Sequence, residues 1–183
     1  MHQLQTPASP AVTVVDTWRI CIHESGHAIA ARVLGLEVLE VAIGSRPTRE
    51  TPEAFLALAG SHGRCVTTNP FKNHPERDGY FWLKRVCIMR AAGVEAERAF
   101  FRGTAKHGCH DADGIRHALK GVLQLVGQDD EDSLAAMELH VHRKAARLVR
   151  RHQKAVEALA ERLMECGALA GGELSHSRRR IAA

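Results

Sequence analysis

Apolar residues recur at three- and four-residue steps near the start of the chain, which is the pattern of a helix with one buried face. The pattern predicts a helix from Thr17 to about Leu34, with Asp16 as its N-cap and Gly35 as its stop signal. The buried stripe comprises Ile20, His23, His27, Ala30, Ala31 and Leu34. Because two histidines belong to this stripe, we expect both imidazoles to point into the protein.

Beyond this helix the pattern of apolar and polar residues changes and predicts two short strands. Val38, Val41 and Ile43 mark the first strand, and residues 63–67 form the second. Two prolines and a glycine between residues 69 and 79 predict a loop. A small sheet or hairpin is therefore expected beside the first helix.

Helical periodicity returns in the second half of the chain. One helix is predicted from about Tyr80 to Phe101, and another begins near Asp111. Residues 131–166 predict a long amphipathic helix or a helical hairpin, which residues 167–172 end. The expected fold class is therefore mainly α, of the α+β type.

The length and composition fit one domain. With 183 residues, of which 45% are hydrophobic, the chain can bury one core. We expect a disordered leader at residues 1–15, the domain at 16–174 and a basic tail at 175–183. No apolar run spans a bilayer and the start lacks signal-peptide features, so we expect a cytoplasmic location and no membrane partner.

Cysteine and charge usage exclude some classes of protein. The five cysteines are odd in number and form no CxxC pair, which disfavours a disulfide framework and a cysteine-rich zinc knuckle. The net charge is +4, with basic residues gathered at 143–154 and 178–180. A solvated helix face and a frayed tail account for these runs, and aromatics are only 4%, so nucleic acid is not expected as a partner.

The first helix carries the motif HExxH, as His23-Glu24-Ser25-Gly26-His27. Histidines four residues apart lie one helical turn apart, so both imidazoles can bind one ion. Zinc held there would lower the pKa of a water molecule toward ~7, and Glu24 would take the proton and pass it to the leaving amine. Ordinary core histidines that bond to backbone groups are the alternative.

A third ligand is expected where a loop turns into a helix, at His110-Asp111-Ala112-Asp113. Four residues before the apolar Ile115 lies Asp111, which therefore faces the same interior as Ile115 and Leu119, whereas Asp113 points elsewhere. Asp111 is the predicted ligand. A plain helix N-cap is the alternative role for this residue.

Three stretches of the chain are similar to motifs of a known family. Residues 23–28, HESGHA, are similar to its HEAGHA, and residues 92–97, AGVEAE, are similar to its AGRAAE. Residues 107–111 resemble the loop that ends in Asn-Asp and supplies the aspartate ligand. The chain thus resembles, from Asp16 to Glu173, the peptidase domain of FtsH-type membrane AAA zinc metalloproteases.

This resemblance implies a helical peptidase domain with one Zn²⁺ per chain. By matching positions, the ligands would be His23, His27 and Asp111, and Glu24 would be catalytic. Glu97 would steady a ligating histidine, a role that metal sites commonly need. An exposed helix glutamate is the alternative for Glu97.

The chain also departs from the family. Val94 and Glu95 replace arginine and alanine, Arg98 replaces a second glutamate, and Gly108 sits one place late. The sequence contains neither the ATPase nor the membrane anchor. We therefore expect a free-standing, ATP-independent domain that cuts exposed or unfolded segments, or one that receives substrate from a separate ATPase or adaptor.

The expected function is a zinc metalloendopeptidase that hydrolyses peptide bonds of exposed or unfolded protein segments. In such peptidases the substrate backbone lies as an added strand on a sheet edge. The predicted binding strand is Gly63, Arg64, Cys65, Val66 and Thr67, with an ordinary hairpin strand as the alternative. Two other functions stay open: a non-cleaving zinc module that binds a peptide or partner, and a nucleic-acid-binding regulator whose affinity falls with salt.

Overall fold

A computed structural model describes residues 14–44, 63–73, 78–128 and 130–175 of the chain. Most of the predicted leader and of the basic tail lies outside the described residues. Within them, seven helices and three strands follow in the order α1 (Val14–Val33), β1 (Val38–Ile43), β2 (Gly63–Thr67), α2 (Pro70–Asn73), α3 (Gly79–Phe100), α4 (Cys109–Leu125), α5 (Glu131–Arg151), α6 (Gln153–Cys166), β3 (Ala168–Ala170) and α7 (Gly171–Ser175).

The predicted fold class is confirmed, because the described chain is mainly helical with one small antiparallel sheet. Helix α1 is its centre, and every residue from Arg19 to Ala31 is buried. Helices α3 and α6 and the sheet surround α1. The sequence predicted one buried face for this helix, but between Arg19 and Ala31 the helix is buried on all sides. Such burial is typical of a helix in the middle of a core.

Helices α1 and α3 approach each other closely through small residues. A Cβ added at Gly26 would lie 2.6 Å from the backbone oxygen of Ala92 and 2.7 Å from the Cβ of Ala96. Only glycine fits at this contact without a shift of one helix. The close packing brings the histidine face of α1 directly against α3.

The sheet has the order β2-β1-β3, with both pairs antiparallel. Strand β1 lies in the centre, and its register pairs Ile43 with Gly63 and Val41 with Cys65. Both predicted strands are present. Among the described strands, β2 stands at an edge of the sheet.

The predicted start of the first helix differs from the structure. Helix α1 begins at Val14, three residues before the prediction, so Asp16 lies in its first turn and is not its N-cap. There Asp16 forms an ion pair with Lys106 at 3.2 Å. An acidic residue is favourable in a first turn because of the helix dipole, as well as at an N-cap. An aspartate near a helix start therefore does not distinguish the two positions.

Three other stretches show elements that the sequence analysis did not resolve. Residues 131–166, predicted as one long helix or a helical hairpin, form two helices, α5 and α6, with a break at His152 (φ −114°, ψ 21°). The predicted terminator at 167–172 contains the strand β3 and begins α7, and the predicted loop at 69–79 contains the short α2. In the described part of the chain, no helix is both long and apolar enough to cross a membrane.

Candidate metal centre

The two histidines of α1 lie side by side, as the HExxH spacing predicts. His23 and His27 are buried, with 5% and 6% exposure. Their rings are nearly perpendicular, at 84°, and their Nε2 atoms are 3.0 Å apart. Both Nε2 atoms therefore point at one place on the surface of the helix.

Asp111 reaches the same place from α4. Its Oδ2 atom lies 3.2 Å from Nε2 of His23 and 3.2 Å from Nε2 of His27. Asp111 is in the first turn of α4, and the N-cap is Gly108, whose φ of +104° favours glycine. The N-cap interpretation of Asp111 is therefore wrong, and the exposed Asp113 takes no part in this cluster.

The donor set fits a zinc ion. The three ligand atoms form a triangle with edges of 3.0, 3.2 and 3.2 Å. In a tetrahedral zinc site with bonds of about 2.0 Å, two ligand atoms are about 3.3 Å apart. Two imidazole nitrogens and one carboxylate oxygen thus occupy three corners of such a tetrahedron, as in catalytic sites whose fourth position is open to water or substrate.

Hydrogen bonding on the far side of each ring supports this interpretation. Nδ1 of His23 is 2.8 Å from Oε1 of Glu97, and Nδ1 of His27 is 2.9 Å from the backbone oxygen of Met89. Since both partners are acceptors, each Nδ1 donates a proton to its partner, which leaves each Nε2 available to bind a cation beside Asp111. Two ring nitrogens and a carboxylate oxygen thus meet where a positive charge would be stabilised.

The electrostatics of the cluster favour that charge. Burial alone would lower the pKa of His23, but hydrogen bonds to Asp111 and Glu97 raise it to about 10. Burial alone would raise the pKa of Asp111, yet the two histidines hold it well below its usual range. The three side chains therefore stabilise a cation, whether this is a proton or a metal ion.

Gly93 of α3 makes room for both rings. A Cβ at this position would lie 2.5 Å from Nε2 of His27 and 2.7 Å from Nε2 of His23. Such contacts are closer than real Cβ atoms show, so any larger residue would displace a ligand. The two histidines can thus take these positions only because residue 93 has no side chain.

Glu97 lies where the resemblance implies, behind His23. It is fully buried, which excludes the exposed-glutamate alternative. Besides His23, its carboxylate accepts hydrogen bonds from the backbone N–H groups of Lys106 and His107, at 2.8 and 3.2 Å. Burial alone would raise the pKa of Glu97, but its bonds to His107 and His23 hold it well below the usual range. Glu97 thus stays ionised.

Glu24 is buried beside the ligands, with 7% exposure. Burial raises the pKa of its carboxyl group, while the charges of His27 and His23 lower it and that of Asp111 raises it. The net shift is upward. A carboxylate with a raised pKa is a better proton acceptor near neutral pH, which suits a general base.

The predicted binding strand begins against Glu24. A Cβ on Gly63, the first residue of β2, would lie 2.7 Å from both Cγ and Oε1 of Glu24. Further along β2, burial raises the pKa of the Cys65 thiol, and the charges of Glu24 and Asp111 raise it further, so this side chain also lies near the cluster. Arg64 points to the other face, where it pairs with Glu40.

Two residues near the centre were missed by the sequence analysis. Arg19 donates to Oε2 of Glu97 at 3.4 Å, and Nδ1 of His107 lies 3.2 Å from Oε1 of Glu97. Arg19 precedes His23 by four residues and so continues the histidine stripe by one turn. The four-residue spacing from His23 could have indicated that Arg19 faces the interior. It was missed because an arginine is usually exposed.

Comparisons with known proteins do not assign this chain to a family. No family model matches the chain, and no curated protein matches it.

Proposed function

We propose that this chain is a zinc metalloendopeptidase that hydrolyses peptide bonds in exposed or unfolded protein segments. The observation that carries the proposal is the meeting of His23, His27 and Asp111 at one point, with the buried Glu24 beside it. Metal binding alone does not need Glu24. A base placed next to a three-ligand site is what metal-assisted hydrolysis requires.

In the proposed mechanism, His23, His27 and Asp111 hold the zinc ion. When bound, zinc supplies Lewis acidity, which polarises the substrate carbonyl and lowers the pKa of a water molecule toward ~7. Glu24 accepts the proton of the attacking water as a C–O bond forms at the carbonyl carbon. It then donates this proton to the amide nitrogen as the C–N bond breaks, and the leaving group departs as a neutral amine.

We propose that β2 binds the substrate as an added strand. Support comes from its position at a sheet edge and from the contact between Gly63 and Glu24. Hydrogen bonds along a strand edge involve the backbone, so binding would tolerate many substrate sequences. This tolerance suits unfolded segments as substrates, delivered in the cytoplasm either by diffusion or by a separate ATPase or adaptor.

Glu24→Gln tests the reaction. Glutamine cannot take a proton from water, so the variant should bind one zinc per chain and lose cleavage of an unfolded protein such as casein. Zinc content would be measured by elemental analysis, and cleavage by electrophoresis. Equal cleavage by the variant and the parent would exclude the role of Glu24, and binding of peptide without cleavage by the parent would identify a non-cleaving module.

Asp111→Ala, compared with Asp113→Ala, tests the ligand set. Both changes remove one carboxylate from the first two turns of α4, but only Asp111 contacts the histidines. We expect Asp111→Ala to lose zinc and Asp113→Ala to retain it, in elemental analysis of the purified proteins. Loss of zinc only from Asp113→Ala would overturn the assignment.

A further inference from the structure

Arg19 lies one helical turn before the first ligand, on the same face of α1. Its guanidinium group is buried, with 8% exposure for the residue, and lies 4.0 Å from the ring of Phe101. Burial of an arginine is costly unless its charge is paired. The partners of this charge therefore indicate what the residue does.

The Nη1 atom of Arg19 joins two parts of the chain that converge on the metal centre. It lies 3.4 Å from Oε2 of Glu97, near the end of α3, and 3.2 Å from the backbone oxygen of Thr104, in the segment that leads to α4. Glu97 in turn holds the Nδ1 atom of His23. One guanidinium group thus contacts both Glu97, which supports the ligand His23, and the segment that leads to α4, where Asp111 lies.

The charge of Arg19 matters most when zinc is bound. A histidine that binds a metal does so as a neutral imidazole, so His23 then offers Glu97 only a neutral N–H. The Lys106 and His107 backbone N–H groups are also neutral. The side chain of His107 also contacts Glu97, but among the described partners of this buried carboxylate Arg19 is the one whose positive charge is permanent.

We propose that Arg19 is a positioning residue of the metal centre, which acts through Glu97 and through the segment 104–107. It fixes the position of the Glu97 carboxylate behind His23 and holds residues 104–107 in the path that brings Asp111 to the histidines. This inference deepens the proposed function and rests on the metal centre, but it does not depend on peptide cleavage.

The test measures zinc affinity, by competition with a chromogenic chelator, in Arg19→Met and Arg19→Lys. Loss of a residue that supports a ligand typically weakens metal binding by about 10- to 100-fold, and we expect this loss for Arg19→Met. Arg19→Lys keeps the charge, but it loses the planar group that lies on the Phe101 ring and places Nη1 between Glu97 and Thr104. Its affinity should lie between those of the parent and Arg19→Met.

Arg85→Met is a matched control. Arg85 belongs to α3, donates to the backbone oxygen of Leu34 just after α1 and lies 4.0 Å from the ring of Phe81, so it shares with Arg19 one contact to a backbone oxygen and one to an aromatic ring. A merely structural arginine would lower the thermal stability of the apoprotein and leave zinc affinity unchanged. We expect that result for Arg85→Met.

Two further measurements separate positioning from folding. The visible spectrum of the Co²⁺-substituted protein reports ligand geometry, and we expect it to change in Arg19→Met and Arg19→Lys but not in Arg85→Met. If Arg19 acts through Glu97, then Arg19→Met combined with Glu97→Gln should weaken zinc binding by less than the product of the two single effects.

The outcomes distinguish this inference from the proposed function. Unchanged zinc affinity and Co²⁺ spectrum in both Arg19 variants would overturn the role of Arg19 and leave the peptidase proposal intact. Weakened zinc binding in a protein that cleaves no peptide would support Arg19 and overturn the peptidase. If Arg19→Met does not fold, Arg19→Lys decides the result, and a parent protein that binds no zinc overturns both proposals.

Discussion

At the scale of single residues, Gly93 controls whether the two imidazoles fit against α3. The Cβ of Gly93→Ala would meet Nε2 of His27 at 2.5 Å, and the other nearest atoms also belong to the two ligands. Because the rings must move, we expect zinc affinity to fall by about tenfold or more, as measured by chelator competition. In most helices the change from glycine to alanine raises the free energy of unfolding. A loss of zinc affinity would therefore show that the added Cβ disturbs the histidine rings.

Gly121→Ala supplies the opposite expectation. This glycine lies inside α4, and a Cβ there would meet no atom within 4 Å. Alanine should therefore leave zinc affinity unchanged and raise the free energy of unfolding by roughly 0.5–1 kcal/mol, measured by urea denaturation. If both alanine variants bound zinc as the parent does, the fit of the rings against α3 would not matter for the site.

At the scale of elements, Glu95 connects α3 to α5. Its Oε1 lies 2.8 Å from Nδ1 of His142 and 2.6 Å from Nη1 of Arg98. Burial alone would raise the pKa of Glu95, but these two bonds and the charges lower it below 4.5. The folded state therefore binds fewer protons than the unfolded state near that pH, so this contact stabilises the fold above pH 4.5 and is lost as pH falls further.

Glu95→Gln should consequently destabilise the protein in a pH-dependent way. We expect the free energy of unfolding to drop by about 1 kcal/mol at pH 7 and by less at pH 4, in urea denaturation at both values. The exposed Glu157 on α6 provides a control, since Glu157→Gln should change stability by less than ~0.5 kcal/mol at either pH. An equal drop for Glu95→Gln at both pH values would contradict the assigned shift.

The elements also show how far sequence reasoning reaches. Periodicity located α1, β1, β2 and α3, and a step of one helical turn from Ile115 identified Asp111, because these features depend on local spacing. Strand β3 was missed since Ala168 and Ala170 have no strand preference, and it forms by pairing with β1. Arg19 was missed for the same kind of reason: its burial depends on contacts with residues 78 and 85 positions away.

At the scale of the whole molecule, the candidate metal centre joins parts of the chain that are distant in sequence. His23 and Asp111 are 88 residues apart, so zinc binding would hold α1 and α4 together. An ion that binds only the folded state at 100 times its dissociation constant adds about 2.7 kcal/mol. For a domain of this size, that corresponds to a shift in melting temperature of roughly 5–10 °C.

Removal of zinc by a chelator should therefore lower the melting temperature of the parent protein and leave that of Asp111→Ala unchanged, in calorimetric scans at fixed protein concentration. Hydrogen exchange should locate the effect, because the ligands lie on α1 and α4 and their support lies on α3. We expect chelation to speed exchange at the start of α4 and in residues 104–107, while α6, which carries no ligand, keeps its protection until global unfolding. A uniform loss of protection along the chain would instead mean that the ion stabilises the fold as a single cooperative unit.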